Sequence, residues 1–252
     1  MRGETLDILF SRSRSSGVFL DFDGTLSEIA PVPEAAVAIP GAAGILSRLA
    51  ERFKVVAVVS GRQISEIERR LGRPSGVRFF GLYGAESARM VSSEPASRTV
   101  EAILPRVMEI ASGVEGSLVE PKGPGVALHY RLSPDPNIAR TTLLEDLTPL
   151  ARSVDMKLIE GKRVVELLPP TTPTKGDVVR REGAGLEAIL YAGDDLADLE
   201  AFSAVDRLVE EGARSMKVAI RSAETPAALL EAADLIVEGP LGLLELLGSL
   251  SG

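Results

Sequence analysis

Short apolar runs alternate along most of the chain with segments whose apolar residues recur every three or four positions. Gly17–Leu20, Lys54–Val59, Val77–Leu82, Ala188–Ala192, Lys217–Ile220 and Leu235–Val237 read as buried parallel strands, because a strand covered on both faces needs no polar alternation. Gly41–Arg52 carries Ile45, Leu46 and Leu49 at helical spacing, and Ile64–Leu71 puts Ile64, Ile67 and Leu71 on one face with charges opposite. Asp195–Ala204 and Pro226–Ala233 also read as helices. Strands alternating with helices predict a doubly wound α/β sheet. Ligands of such a sheet sit outside the carboxyl ends of its strands.

The middle of the chain follows another pattern. Val114–Val119, Gly125–Leu132, Met156–Glu160 and Arg163–Leu168 read as strands, and Thr99–Ala111 and Ile138–Ala151 as helices. Val126, Leu128 and Tyr130 share one strand face while His129 and Arg131 share the other. The order helix, strand, strand, helix, strand, strand predicts an antiparallel sheet with helices on one face. The expected organisation is therefore an α/β core of residues 1–87 and 171–252, interrupted by an α+β insert at 88–170. The proline-rich Pro31–Pro33 and Pro169–Pro173 read as rigid connectors, and hinges of the insert are expected near Gly84–Ala88 and Pro169–Pro173.

Composition narrows the chemistry. The chain has no cysteine and one histidine, which excludes thiol catalysis, disulfides and Cys- or His-rich metal sites. Asp, Glu and Lys must then carry any acid–base or metal chemistry. A net charge of −8 argues against general nucleic-acid binding, which needs a basic face. It leaves room for a phosphorylated substrate held by a few local cations. No apolar run approaches the roughly 20 residues of a membrane span. The N-terminal segment has acidic residues and no long apolar stretch, so no signal peptide is expected and the cytoplasm is the default location.

Four groups of residues carry the candidate chemistry, each at the end of a strand pattern. Val18-Phe19-Leu20-Asp21-Phe22-Asp23-Gly24-Thr25 runs a buried strand into two carboxylates spaced i, i+2. Both can reach one site as the chain leaves the strand, a site suited to a hard cation such as Mg²⁺. A carboxylate beside such a cation can attack phosphorus. Ser60-Gly61-Arg62 follows the second strand; Ser60 can bind a phosphate oxygen or cap the next helix. Lys175 opens a helix, against the macrodipole, which suggests a local anion. After the strand Leu190-Tyr191-Ala192-Gly193, Asp194, Asp195 and Asp198 form a compact acidic tip that calls for a cation.

With these four motifs in this order, the chain resembles the haloacid-dehalogenase-superfamily phosphatases. Their motifs are DxDGT, a Ser or Thr after the second strand, a Lys at a helix start, and an acidic tip. More specific segments resemble the trehalose-6-phosphate phosphatase family: Leu20–Ser27 with Pro31–Ala35, Val59–Arg62, Gly81–Glu86, Val119–Gly123, Val126–Arg131, and Val165–Leu167 before Lys175-Gly176. The likeness runs from about residue 17 to about residue 240. Two segments depart from the family pattern. Gly81-Leu82-Tyr83-Gly84 stands where a Gly-Glu-His-Gly type is usual, and Ala197-Asp198-Leu199 where Thr-Asp-Glu is usual.

The resemblance implies a core of haloacid-dehalogenase type with an inserted C2B-type cap. It implies an Mg²⁺-dependent phosphatase converting trehalose 6-phosphate to trehalose and phosphate through an aspartyl-phosphate. The implied catalytic residues are Asp21, Asp23, Ser60 and Lys175. The implied metal residues are Asp21, Asp23, Asp194, Asp195 and Asp198. Substrate contacts are expected from Gly61, Arg62, Glu120, Lys122, His129, Arg131 and Glu166. The expected partner is a small sugar phosphate, not a nucleic acid or a membrane, with room for functional association with a trehalose-phosphate synthase. Mannosyl-phosphoglycerate, sucrose phosphate, phosphomutase chemistry and a non-catalytic sugar-phosphate sensor are the alternatives.

Overall fold

The computed structural model describes residues 2–87 and 94–251, except for the side chains at 2–5, 10 and 94–97. The chain divides into two compact units, Met1–Arg89 with Pro173–Gly252, and Met90–Thr172. The expected junction at residue 88 and the end of the Gly84–Ala88 hinge segment lie outside the described residues.

The larger unit begins with α1 (Arg2–Ser11), β1 (Ser16–Leu20), α2 (Ala42–Arg52), β2 (Val55–Val59), α3 (Ile64–Leu71), β3 (Arg78–Gly81) and β4 (Glu86–Ser87). The smaller unit holds α4 (Glu94–Ser112), β5 (Leu118–Lys122), β6 (Gly125–His129), α5 (Pro136–Ser153), β7 (Lys157–Gly161) and β8 (Val164–Leu168). The chain then returns through α6 (Lys175–Gly183), β9 (Ala188–Gly193), α7 (Ala197–Glu210), β10 (Arg214–Arg221), α8 (Ala227–Ala232), β11 (Leu235–Glu238) and α9 (Gly239–Ser251).

The larger unit is built on a seven-stranded sheet of order β11-β10-β9-β1-β2-β3-β4. It is parallel except for β4, which pairs antiparallel with β3. Every residue of β1, β2 and β9 is buried, the burial that their uninterrupted apolar runs predict. Val18, Leu20, Val56, Val58 and Leu190 face α1, α2, α3 and α9 through Leu9, Leu46, Leu49, Ile67 and Leu247. Phe19, Ala57, Val59, Ile189 and Tyr191 face α6, α7 and α8 through Val178, Phe202, Val205 and Leu229. Each large aliphatic or Phe side chain so buried contributes about 1.5–3 kcal/mol. The sheet is thus doubly wound, and its strand order reverses around β1.

The smaller unit is a four-stranded antiparallel sheet, order β5-β6-β8-β7. Val126, Leu128, Val165 and Leu167 point to α4 and α5, where they meet Val107, Leu143 and Leu147. Asp135 caps α5 by accepting from the backbone N–H groups of Asn137 and Ile138, with Pro136 in the first turn. Two expected boundaries move here. β5 starts at Leu118, not Val114, because residues 114–117 unwind from α4: Val114 N–H donates to the Ala111 carbonyl and Ser117 N–H to that of Val114. β6 ends at His129, not Leu132, where the Tyr130–Ser133 turn closes with a Ser133 N–H to Tyr130 carbonyl bond.

Candidate active site

The reversal of strand order places three strand ends side by side. Leu20 is in register with Ala192 of β9 and Val58 of β2. Asp21, Asp194 and Ser60 therefore leave adjacent strands at the same edge, and Asp21 N–H donates to the Ala192 carbonyl at 2.9 Å. Two glycines let the chain pack this tightly. Gly24 takes φ +78°, and a Cβ there would sit 1.8 Å from Asp194 Oδ2. A Cβ on Gly193 would sit 2.3 Å from Asp198 Cγ.

Asp21, Asp194 and Asp198 are all buried and offer one oxygen each within 4.8 Å of one another. Lys175, at the first turn of α6, reaches into this cluster. Its Nζ donates to Asp21 Oδ1 and to Asp198 Oδ1, both at 2.7 Å. The second Asp198 oxygen accepts from the backbone N–H groups of Asp194 and Asp195, at 2.8 and 2.9 Å. Tyr191 Oη also donates to Asp198 Oδ1, at 2.7 Å. Among the described residues, the carboxylates of Asp23 and Asp195 stand outside this cluster; Asp195 Oδ1 accepts from Leu196 N–H.

The electrostatics follow from burial. Burial pushes the Asp21 carboxyl up to about 7; Lys175 opposes the shift, while Asp198 and Asp23 add to it. Burial also works against the Lys175 ammonium, but Asp198 and Asp21 outweigh it and hold the pKa above the ordinary lysine value. Burial, then Asp198 and Asp21, push the Tyr191 hydroxyl well above its usual value, so it stays a donor. Three carboxylates face one ammonium. All-oxygen donors with an excess of negative charge fit a hard divalent cation.

Stability should register this strain. The folded Asp21 pKa of about 7 lies above the ordinary aspartate value of 3.8. Between those values the folded state holds a proton that the unfolded state lacks. In metal-free protein, the Asp21 contribution is complete below about pH 4 and is lost as pH rises through about 7. The Tm of the wild type minus that of Asp21→Asn is expected to fall across this window and level off above it. A flat difference would contradict the raised pKa.

Asp23 turns the other way. Arg62 grips it with a two-pronged ion pair, Nε to Oδ2 at 2.6 Å and Nη2 to Oδ1 at 2.7 Å. Ser60 Oγ accepts from Arg62 N–H at 3.2 Å, so Ser60 does not cap α3. That helix is capped from a distance: Glu86 Oε2 accepts from Ile64 N–H at 2.8 Å. The loop at residues 60–62 is braced by Leu82 N–H to the Arg62 carbonyl and Tyr83 N–H to the Ser60 carbonyl. Leu82 and Tyr83 adopt φ of +49° and +61°, and the Tyr83 ring lies against Gly61. Glu86, Tyr83 and Tyr191 were not among the residues expected at the site. Tyr83 and Glu86 lie in the family-like segment Gly81–Glu86 without a role read from it, and Tyr191 is a lone hydroxyl in an otherwise aliphatic strand that ends in the acidic tip.

In the smaller unit, Glu120, Lys122, His129 and Glu166 occupy the sheet face turned away from α4 and α5. Lys122 Nζ pairs with Glu166 at 2.7 Å and with Glu120 at 3.6 Å. His129 Nε2 bonds Glu120 Oε2 at 2.7 Å. Arg131 Nη2 donates to the Lys162 carbonyl at 3.3 Å. The structure thus brings four of the five expected polar residues of this unit together, as two hydrogen-bonded pairs joined by the Lys122–Glu120 ion pair.

The family model described as "Trehalose-phosphatase" matches residues 19–231. The chain belongs to the trehalose-phosphatase family. A trehalose-phosphate phosphatase of Mycobacterium avium is 35% identical over 209 residues, covering 76% of this chain and 52% of that protein. The chain thus spans about half the length of this relative. The C-terminal domain of Candida albicans trehalose-6-phosphate phosphatase superposes with a TM-score of 0.84 at 23% identity, over 100% of this chain and 97% of that one. A trehalose-6-phosphate phosphatase related protein superposes with a TM-score of 0.72 at 26% identity, over 93% and 96% of the two chains. Among the described residues, no helix is long and apolar enough to cross a membrane. The fold expected of a haloacid-dehalogenase-like core is the one observed.

Proposed function

We propose that this chain is a phosphoric monoester hydrolase that converts trehalose 6-phosphate to trehalose and phosphate through an aspartyl-phosphate on Asp21. The observation that carries the reading is the Asp21–Lys175–Asp198 ion-pair chain beside Asp194, in a member of the trehalose-phosphatase family. Asp21 and Asp194 are the residues that would hold Mg²⁺, with the backbone of Asp23. When bound, the cation would screen the negative charges of carboxylate and phosphoryl group.

This chain's own side chains supply the rest. Lys175 favours the ionised form of Asp21 against the effect of burial and neutralises the phosphoryl oxygens. An Asp21 oxygen forms a bond to phosphorus while the bond from phosphorus to the sugar oxygen breaks. Asp23 gives its proton to that leaving oxygen, then takes one from the water that attacks the acyl phosphate. That water ends on phosphate, and the Asp21 carboxylate is regenerated. Arg62 engages both Asp23 oxygens, so it must let go of one of them for Asp23 to carry that proton, and Ser60 with the Gly61 backbone holds phosphoryl oxygens. Asp198 acts through its hydrogen bonds, and Asp195 through the loop it shares with Asp194.

The larger unit is assigned the chemistry and the smaller unit, as a cap, the recognition of the sugar. Glu120, Lys122, His129, Arg131 and Glu166 would bind sugar hydroxyls through charge-assisted hydrogen bonds. In Glu166→Gln, the ratio of kcat/KM for trehalose 6-phosphate to that for p-nitrophenyl phosphate should fall roughly tenfold, the loss of one such bond. An unchanged ratio would remove Glu166 from recognition.

The test of the reading is phosphate release from trehalose 6-phosphate with Mg²⁺, against EDTA and a panel of sugar phosphates that includes sucrose phosphate and mannosyl-phosphoglycerate. Metal-dependent preference for trehalose 6-phosphate supports it. Preference for another member of the panel discards the substrate and keeps the mechanism. No release from any of them rejects the enzyme. Cytoplasmic location and association with a synthase partner remain part of the same reading, tested by fractionation and co-purification.

A further inference from the structure

Tyr191 sits mid-strand in β9, with its ring in the apolar layer under α6 and α7. It is fully buried and packs edge-on to Phe202, with centroids 6.0 Å apart and planes at 89°. A phenylalanine would fill this place equally well. A hydroxyl there must recover its desolvation cost through a hydrogen bond. It does so on Asp198 Oδ1, at 2.7 Å.

That oxygen is the one Lys175 uses. The other accepts both backbone N–H groups of the Asp194-Asp195 loop. A carboxylate has about four acceptor sites, and here four donors fill them. Asp198 therefore cannot rotate without breaking the Lys175 contact or releasing the loop that carries Asp194. The Tyr191 hydroxyl is the only one of the four donors that belongs neither to the Asp194-Asp195 loop nor to Lys175.

We propose that Tyr191 is a positioning residue for phosphoryl transfer: its hydroxyl locks Asp198 in the orientation that holds Lys175 against Asp21 and pins the Asp194 loop. Tyr191 acts through Asp198 and, being enclosed in the core, touches no substrate. The proposal rests on the phosphatase reading. It adds a residue whose loss should weaken the transition state more than the bound substrate or product.

The test is Tyr191→Phe in the full chain with Mg²⁺. A displaced Lys175 should lower kcat for trehalose 6-phosphate roughly tenfold, with KM held within a factor of about two. The inhibition constant for orthovanadate, which mimics the transferring phosphoryl group, should rise by about the same factor as kcat falls. Affinity for inorganic phosphate should hold. A merely structural role would lower the active fraction, and with it kcat, but would leave the vanadate constant unchanged. Phe202→Leu provides that contrast: it disturbs the same packing and keeps the hydroxyl, so Tm should fall while vanadate binding stays at the wild-type value.

Wild-type kcat and vanadate binding in Tyr191→Phe would overturn the proposal, as would a kcat loss without a vanadate change. If the wild type releases no phosphate from any sugar phosphate of the panel, the phosphatase reading has failed. Direct binding of vanadate and phosphate, which needs no turnover, then still decides whether the Tyr191 hydroxyl positions Lys175 through Asp198: weakened vanadate alone supports that positioning, and equal affinities overturn it.

Discussion

Asp21→Asn should abolish turnover of trehalose 6-phosphate, with kcat lower by on the order of 10⁴-fold or more, because no other group takes over the attack on phosphorus. The replacement is nearly isosteric and keeps one oxygen to accept from Lys175, now 2.7 Å from Asp21 Oδ1. The fold should persist, with an unaltered circular dichroism spectrum. The variant also discards a carboxyl held at about 7 by burial, so it tolerates the metal-free state at high pH better than the wild type does. Steady-state kinetics alongside thermal melts check both halves. Residual kcat above about a hundredth of wild type would remove Asp21 as the nucleophile, since loss of a nucleophile is far more severe than loss of one supporting contact.

Lys175→Ala should be the second largest effect, and it differs in kind. Lys175 is buried between two buried carboxylates. Without it, Asp21, Asp194 and Asp198 face one another with no counter-charge from that lysine. Removing one member of a buried ion pair costs about 3–5 kcal/mol, so the variant should melt well below wild type. A loss of kcat of roughly 10²–10³-fold should accompany this, the usual cost of removing a donor to transition-state charge. Added Mg²⁺ should recover part of the Tm, since a cation can replace the missing charge, and little of the activity. Lys175→Arg should not rescue, because a planar fork differs from a compact ammonium in a closed pocket. A stable Lys175→Ala protein with near-normal kcat would contradict the arrangement.

Much of this was legible in the chain because parallel strands announce themselves. The valine-rich run of β2 and the apolar run of β1 were readable, and the ends of both strands carry Ser60 and Asp21. Lys175 stands at a helix start in the pattern, where the macrodipole favours an anion. The structure supplies the anions as Asp21 and Asp198. What the sequence hid depends on distant partners. Glu86 caps α3 from 22 residues away, and β4 is two residues long, too short for any periodicity. Tyr83 adopts a left-handed φ that nothing in its own side chain favours. The unwinding of α4 at residues 114–117 looked like a strand because Val114 and Val119 flank it. Whether Asp198 ligates a cation or only accepts hydrogen bonds could not be read from spacing, since both uses need a carboxylate at that place.

The central claim is that Asp21 carries the phosphoryl group of trehalose 6-phosphate. The most direct measurement is acid-quenched turnover of trehalose 6-phosphate bearing radiolabelled phosphate, followed by peptide mapping of the labelled protein. Label on the peptide containing Asp21, absent in Asp21→Asn and chased away by unlabelled substrate, is the expected result. Turnover with no covalent label, or with label on another residue, would contradict it.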